Sequence, residues 1–227
     1  MFINDYHTHI LPGMDDGAKD TQQSLQMLKM CHDKGVERIF ATPHFVAHRE
    51  SAQSFLERRK LAFDALPDVD MRILPGAEVQ IEKGLAENNQ LPMLTLADSD
   101  KILLELPYTS FKDWMVEEIY NITYVHNLTP VLAHIERYLE WYSWSSISDI
   151  LAISKAVFQV NSESLQSRRD LKFVISLIRD DYPVIFGSDA HNTQDRRPNL
   201  DFAYKILKKK LGKDEFEKLV VFNREFV

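Results

Sequence analysis

Short apolar runs alternate with longer amphipathic stretches along the whole chain. The apolar runs predict strands at 2–6, 37–42, 71–77, 101–105, 130–134, 156–160 and 183–187. The stretches between them carry helical spacing. Residues 21–34 place Leu25, Leu28 and Cys31 near one face, with Asp20 or Thr21 to cap the start and Gly35 to stop the run. Residues 49–65 place Phe55, Leu56, Leu61 and Phe63 at helical intervals in a charged segment. Further helices are expected at 112–127, 146–155, 164–179 and 200–211, with a terminal one at 215–222. Strand–helix alternation of this kind implies right-handed βαβ crossovers and a parallel sheet.

Such strands can build an open doubly wound sheet or a closed barrel, and the polar residues at their ends choose between the two. His7 and His9 follow the first strand, with Asp16 in the loop beyond. His44 follows the second, Glu78 the third, and Glu105 ends the fourth. His134 ends the fifth, and Asp189 and His191 follow the last. An open sheet gathers its site from two or three strand ends at one switch point. Ligand-type residues at this many strand ends need a ring, whose C-terminal ends converge on one cavity. The expectation is an α/β fold, a distorted seven-stranded (β/α)7 barrel with its active site at the C-terminal ends of the strands. Residues 1–227 are expected to form a single domain.

Composition narrows the function. The 227 residues are 44% hydrophobic, enough for one large core, and the seven Gly and nine Pro are scattered without marking a linker. A net charge of −7 makes nucleic acid a poor partner. The apolar runs are strand-sized, far below the ~20 residues of a membrane span. The chain starts without a basic segment and apolar stretch, so a cytoplasmic location without membrane insertion is expected. Cys31 is the only cysteine, so no internal disulfide forms. Asn121 and Asn127 fit the glycosylation pattern by chance in a chain read as non-secreted.

His7-Thr8-His9 puts two imidazoles on one side of a strand, because side chains alternate with period two. Glu105 interrupts the run Ile102 to Leu106, and a carboxylate in a buried strand is costly unless paired or metal-bound. His134 makes the same case, against the alternative of a hydrogen-bonded core histidine. Mixed His and carboxylate donors suit Mn, Fe or Zn and argue against a thiolate site. Bound ions dominate a local field, so such a pocket would attract a phosphate dianion despite the net negative charge. Clustered metals also generate hydroxide at neutral pH and clamp attacking and leaving oxygens, which points to phosphoester hydrolysis.

Eight segments together resemble the polymerase-and-histidinol-phosphatase superfamily. They are His7-Thr-His9, Leu11-Pro-Gly-Met-Asp-Asp-Gly17, Ala41-Thr-Pro-His44, Gly76-Ala-Glu78, Leu104-Glu-Leu-Pro107, Ala133-His-Ile-Glu-Arg-Tyr138, Gln159-Val-Asn-Ser162 and Gly187-Ser-Asp-Ala-His-Asn192. Within that superfamily they look like the bacterial capsule-type tyrosine-protein phosphatases. The resemblance implies three divalent ions, usually manganese. One would lie on His7, His9, Glu78 and Asp189, a second on Glu78, Glu105 and His134, and a third on Asp16, His44 and His191. It implies phosphate-binding arginines at Arg137 and at Arg196 or, alternatively, Arg197. The implied substrate is the phosphotyrosine-bearing tail of a bacterial tyrosine kinase that regulates capsular or extracellular polysaccharide synthesis. A homo-oligomer is compatible with the family. Metal-bound hydroxide would attack phosphorus directly, without a covalent intermediate.

Ile135 stands where the family commonly has Pro, and Glu163 where a small residue is expected. Asp16 is preferred to Asp15 as the ligand by its spacing from His7. Arg137 has an alternative as a salt-bridge partner of Glu136 or Glu140. The aromatic stretches Tyr108–Trp114 and Tyr138–Trp144 either flank the site or pack loops on the rim. His32 and His126 read as surface residues, and His48, close to His44 in sequence, as one within reach of the pocket. A cysteine-dependent phosphatase is excluded, because Glu37 stands where its arginine would be needed after Cys31. A small-molecule phosphatase such as one for histidinol phosphate, or a phosphodiesterase, would use the same ligands. A silent metal-binding interaction module is the alternative of another class.

Overall fold

The computed structural model describes residues 3–227, so the expected strand position at Phe2 lies outside the described residues. Among the described residues the strands are β1 (Ile3–Thr8), β2 (Val36–Ala41), β3 (His44–Phe45), β4 (Arg72–Pro75), β5 (Glu78–Gln80), β6 (Lys101–Glu105), β7 (Thr129–Leu132), β8 (Val157–Asn161) and β9 (Val184–Gly187). The helices are α1 (Thr21–Asp33), α2 (Ala52–Asp64), α3 (Asp113–His126), α4 (Trp144–Leu151), α5 (Arg168–Arg179), α6 (Leu200–Lys210) and α7 (Lys213–Glu225). Every ladder is parallel. β1, β8 and β9 are buried throughout, as parallel strands covered by helices on one face and a filled interior on the other should be.

The ladders depart from a single seven-stranded ring. They form two sheets, β1-β2-β4 and β3-β5-β6-β7-β8-β9, and neither closes on itself. Two expected strands, 37–42 and 71–77, are each followed by a further short strand after a step, at Thr42-Pro43 and at Gly76-Ala77. Pro43 has no N–H for a ladder. A Cβ on Gly76 would come within 2.9 Å of the Leu96 side chain, so the chain bends there against a close neighbour. Single hydrogen bonds span the steps: Gly76 N donates to Ala41 O and Glu78 N to Pro43 O. On the opposite flank Thr8 bridges Ala190, and Asp189 N donates to His7 O.

Inside the strands lies a small apolar cluster that includes Tyr6, Phe40, Leu103, Val131, Val157 and Ile185. Period two carries this layer upward. Two residues beyond Leu103 stands Glu105, beyond Val157 stands Gln159, and four beyond Ile185 stands Asp189. A larger cluster fills the space between strands and helices. In β1 strict alternation would send Tyr6 and His7 to opposite faces. A register shift between Asp5 and Thr8 lets both reach the interior.

α7 covers the end of the strands opposite the ligands. Asn223 is buried there; its amide donates to Val184 O and its carbonyl oxygen accepts from Phe186 N. The Asn223 backbone carbonyl accepts from the Tyr6 hydroxyl at 2.6 Å, and Phe226 packs edge-on against Tyr6. Helix starts follow their caps: Asp20 accepts from Gln23 N, Ser51 from Ser54 N and Ser167 from Asp170 N. These caps explain why α2 and α5 begin three and four residues later than expected from spacing alone.

Candidate metal centre

All nine residues with ligand-type side chains meet at one end of the strands. The contributions come from β1 and the loop beyond it, β3, β5, β6, and the segments after β7 and β9. His134 and Asp189 have positive φ, 34° and 50°. This is a costly conformation for non-glycine residues that recurs at functional sites. Gly187 permits the crowding: a Cβ there would lie 2.5 Å from the His7 Cβ. Gly17 does the same for His9, whose Cβ would be 2.5 Å away.

The donor atoms approach at metal-ligand spacing. His7 Nε2 lies 3.1 Å from His9 Nε2, 3.1 Å from Glu78 Oε2 and 3.7 Å from Asp189 Oδ1. His9 Nε2 is 3.2 Å from Glu78 Oε2 and 3.4 Å from Asp189 Oδ1. Donors on one ion with bonds of about 2.1 Å sit roughly 3 to 3.4 Å apart. His134 Nε2 is 2.9 Å from Glu78 Oε1 and 3.6 Å from Glu105 Oε1. His44 Nδ1 is 3.0 Å from Glu78 Oε2 and its Nε2 is 3.5 Å from Asp16 Oδ1. His191 Nε2 is 3.3 Å from the same Asp16 oxygen.

Three groups of donors lie within 4.8 Å of one another: His7-His9-Glu78, His44-Glu78-Glu105, and His9-Asp16-His44-His191. His44 thus stands between two groups, where the resemblance gives it to one.

The outer nitrogens of His7 and His9 are fixed. Gln159 Oε1 accepts from His134 N at 2.8 Å and lies 3.0 Å from His7 Nδ1. Asp15 Oδ2 lies 2.7 Å from His9 Nδ1 and accepts from His44 N at 2.9 Å. With both Nδ1 atoms donating outward, the two Nε2 atoms present lone pairs to each other at 3.1 Å. That contact is unfavourable unless a proton or a metal ion lies between them. Burial opposes a charge on His9, but Asp15, Asp189 and Glu78 raise it well above its usual range and so favour positive charge there. The Glu78 Oε2 and His191 Nε2 atoms are buried without a hydrogen-bond partner. The residues present therefore fit divalent ions.

The charges agree. Burial opposes ionisation of Glu78, but His7, His44 and His134 hold its carboxyl well below the usual range. Burial likewise opposes Asp189, which His7, His9 and Arg137 hold well below its usual range. Burial and Arg137 work against a charge on His134, yet Glu105 and Glu78 lift it to about 9. His191 is pushed down to about 4, first by burial and then by His9.

Two guanidiniums face the cluster. Arg137 Nη2 donates to Asp189 Oδ2 at 2.6 Å, and its Nη1 donates to the Tyr108 hydroxyl at 2.8 Å. Arg196 Nη2 donates to the same Asp189 oxygen at 2.9 Å. Arg137 thus pairs with Asp189, not with Glu136 or Glu140. Arg197 is exposed and lines a separate cavity with Lys34 and Glu163. A cavity of about 620 Å³ opens beside the donors, lined in part by Asp16, His44, Glu105, Arg49, Arg58 and Tyr108. His48 is exposed and pairs with Glu82, His32 is exposed, and His126 is half-buried with Nε2 on the Ala86 carbonyl.

A family whose members act in capsular polysaccharide synthesis, CpsB/CapC, matches residues 3–227. The chain belongs to this family. The tyrosine-protein phosphatase YwqE of Bacillus subtilis strain 168 is 31% identical over 226 residues, covering 92% of this chain and 85% of that protein. The tyrosine-protein phosphatase CpsB of Streptococcus pneumoniae is 30% identical over 244 residues, covering 96% and 95%. A crystal structure from the pair YwqE and CpsB, metal-dependent tyrosine phosphatases, matches with a TM-score of 0.74 at 26% identity. It covers 96% of this chain and 92% of that one.

Within this CpsB/CapC chain, the sequence assigned roles to the ligand-type side chains and the arginines, whereas Asp15, Gln159 and Asn161 stood in the resembling segments without a supporting role. Asp15, Gln159 and Asn161 hold His9, His7 and Asp189 in place. Asp5 accepts from Ser188 N at 2.8 Å, and burial raises its carboxyl to about 6. Period two from the apolar Val157 would have pointed to Gln159 and Asn161 on the same face.

Proposed function

We propose that this chain is a metal-dependent protein-tyrosine phosphatase acting in capsular or extracellular polysaccharide synthesis. The observation that carries the reading is the convergence of nine His, Asp and Glu donors with two guanidiniums at one end of the strands, beside an open cavity. We read the two sheets as a distorted barrel of seven staves, its ring continued across the steps by single hydrogen bonds, and residues 1–227 as one cytoplasmic domain.

Three divalent ions, manganese by preference, would be held by His7, His9, Glu78 and Asp189, by Glu78, Glu105 and His134, and by Asp16, His44 and His191. When bound they supply the Lewis acid that neutralises phosphoryl oxygens and acidifies water. The chain's own residues do the rest. Arg137 and Arg196, already side by side on Asp189 Oδ2, grip the phosphate between them. Gln159 and Asp15 hold protons on the outer nitrogens of His7 and His9, so the inner nitrogens stay free to ligate. Cys31 is buried among core residues and takes no part; in this reading water attacks phosphorus directly and the tyrosine phenolate oxygen leaves. The substrate is a phosphorylated tyrosine on the flexible tail of a bacterial tyrosine kinase.

The test is hydrolysis of phosphotyrosine peptides from such a tail. Activity should vanish with chelator, return with Mn and survive Cys31→Ser. A marked preference for histidinol phosphate over every phosphotyrosine peptide would sink the substrate assignment.

A further inference from the structure

A column of three tyrosines runs up to the cavity. Tyr142 stacks on Tyr138 at 5.2 Å and 10°, and Tyr138 stacks on Tyr108 at 5.8 Å and 26°. The column is pinned by hydrogen bonds. The Tyr138 hydroxyl accepts from Leu106 N and donates to Leu106 O, and the Tyr142 hydroxyl donates to Pro107 O at 2.6 Å. These bonds fix the segment that leads to Tyr108. Tyr108 ends the column and lines the cavity beside His44 and Glu105. Trp141 meets it at 6.0 Å and 60°, so the two rings form a corner instead of covering each other. Tyr108 stays 36% exposed and Trp141 53%. Tyr108 thus presents a pinned ring to the cavity, and Trp141 leaves a second exposed ring beside it.

We infer that Tyr108 and Trp141 form the wall that receives the aromatic ring of the substrate, and so set a preference for aryl over alkyl phosphate esters. The inference rests on the phosphatase reading of the adjoining metal centre. Arg137 ties the two ends together, with one nitrogen on Asp189 and the other on the Tyr108 hydroxyl. A phosphoryl group held by that guanidinium carries its ester oxygen past Tyr108. An aryl ester then lays a ring into the corner, while a phosphoserine ester brings only a methylene. Ring pairs at offset or tilted geometry favour the aryl ester by roughly three- to tenfold.

The experiment compares kcat/KM for one peptide carrying phosphotyrosine and the same peptide carrying phosphoserine, with Mn-loaded full chain. Trp141→Ala should lower the phosphotyrosine-to-phosphoserine ratio roughly three- to tenfold, through KM, and Trp141→Tyr should restore it. Tyr108→Phe keeps the ring but loses the bond to Arg137. It should slow both peptides alike and leave the ratio near that of the wild type. An unchanged ratio in Trp141→Ala, or equal losses on both peptides, would overturn the inference. Wild-type protein that hydrolyses neither peptide with Mn would instead remove the phosphatase reading, and the ring wall with it.

Discussion

Asp189 divides its two oxygens between two tasks. Oδ1 faces His7 and His9, while Oδ2 accepts from Arg137, Arg196 and Asn161. The arginines therefore sit on the far side of a ligand, where removing one leaves the donor cluster in place. Arg137→Ala should keep its metals and its fold while kcat/KM falls roughly 10²-fold or more, the scale of a lost charge-stabilising donor. Steady-state kinetics with metal analysis on the same sample checks this, and unaltered kinetics would return Arg137 to a structural role. Arg137→Lys should recover only part, because an ammonium lacks the bidentate fork. Asp15→Ala frees His9 Nδ1 and the His44 N–H together, and should weaken metal binding about 10- to 100-fold. Titration of metal-free protein with Mn measures it. At this scale the strand-end histidines and carboxylates were legible because a charged or ligating group is costly in an apolar run. Asp15 and Gln159 stood in the resembling segments, but their supporting roles were not legible, because those roles also depend on His44 and His134, 29 and 25 positions away.

Strands and helices were legible to within a few residues, because period two and period 3.6 are local properties. The broken strands were not. Pro43 and Gly76 were visible, but only the neighbouring ladders show that each break moves the chain from one sheet to the other. The short helical turns at Leu85–Glu87, Leu91–Leu94 and Ile135–Glu140 also escaped, since a single turn carries too little periodicity. α7 was expected as a terminal helix with no assigned task. Its Asn223 side chain bonds β9 at two points, Val184 O and Phe186 N. Asn223→Ala should leave those buried groups unpaired and cost about 2–4 kcal/mol of stability. Urea unfolding would register the loss, and an unshifted midpoint would mean that α7 is dispensable to the strands.

Donors from six strand ends meet around Glu78, so the metal centre is also the place where the two sheets are tied together. His7 belongs to one sheet and Glu78 to the other. Ions binding only the folded arrangement stabilise it by mass action. Chelation should therefore lower the thermal midpoint, and added Mn should restore it in proportion to free metal. The chain's net charge of −7 said nothing of this, because the relevant charges are the buried ones. Glu78 is the joint of the account: Oε2 lies near His7, His9 and His44, and Oε1 near His134. Elemental analysis of purified, Mn-loaded protein tests this most directly, read alongside Glu78→Ala. The account predicts three divalent ions per chain in the wild type and a loss of more than one in Glu78→Ala, with hydrolysis abolished. A folded wild type that binds one ion or none, or a Glu78→Ala protein with full metal content and normal turnover, would contradict it.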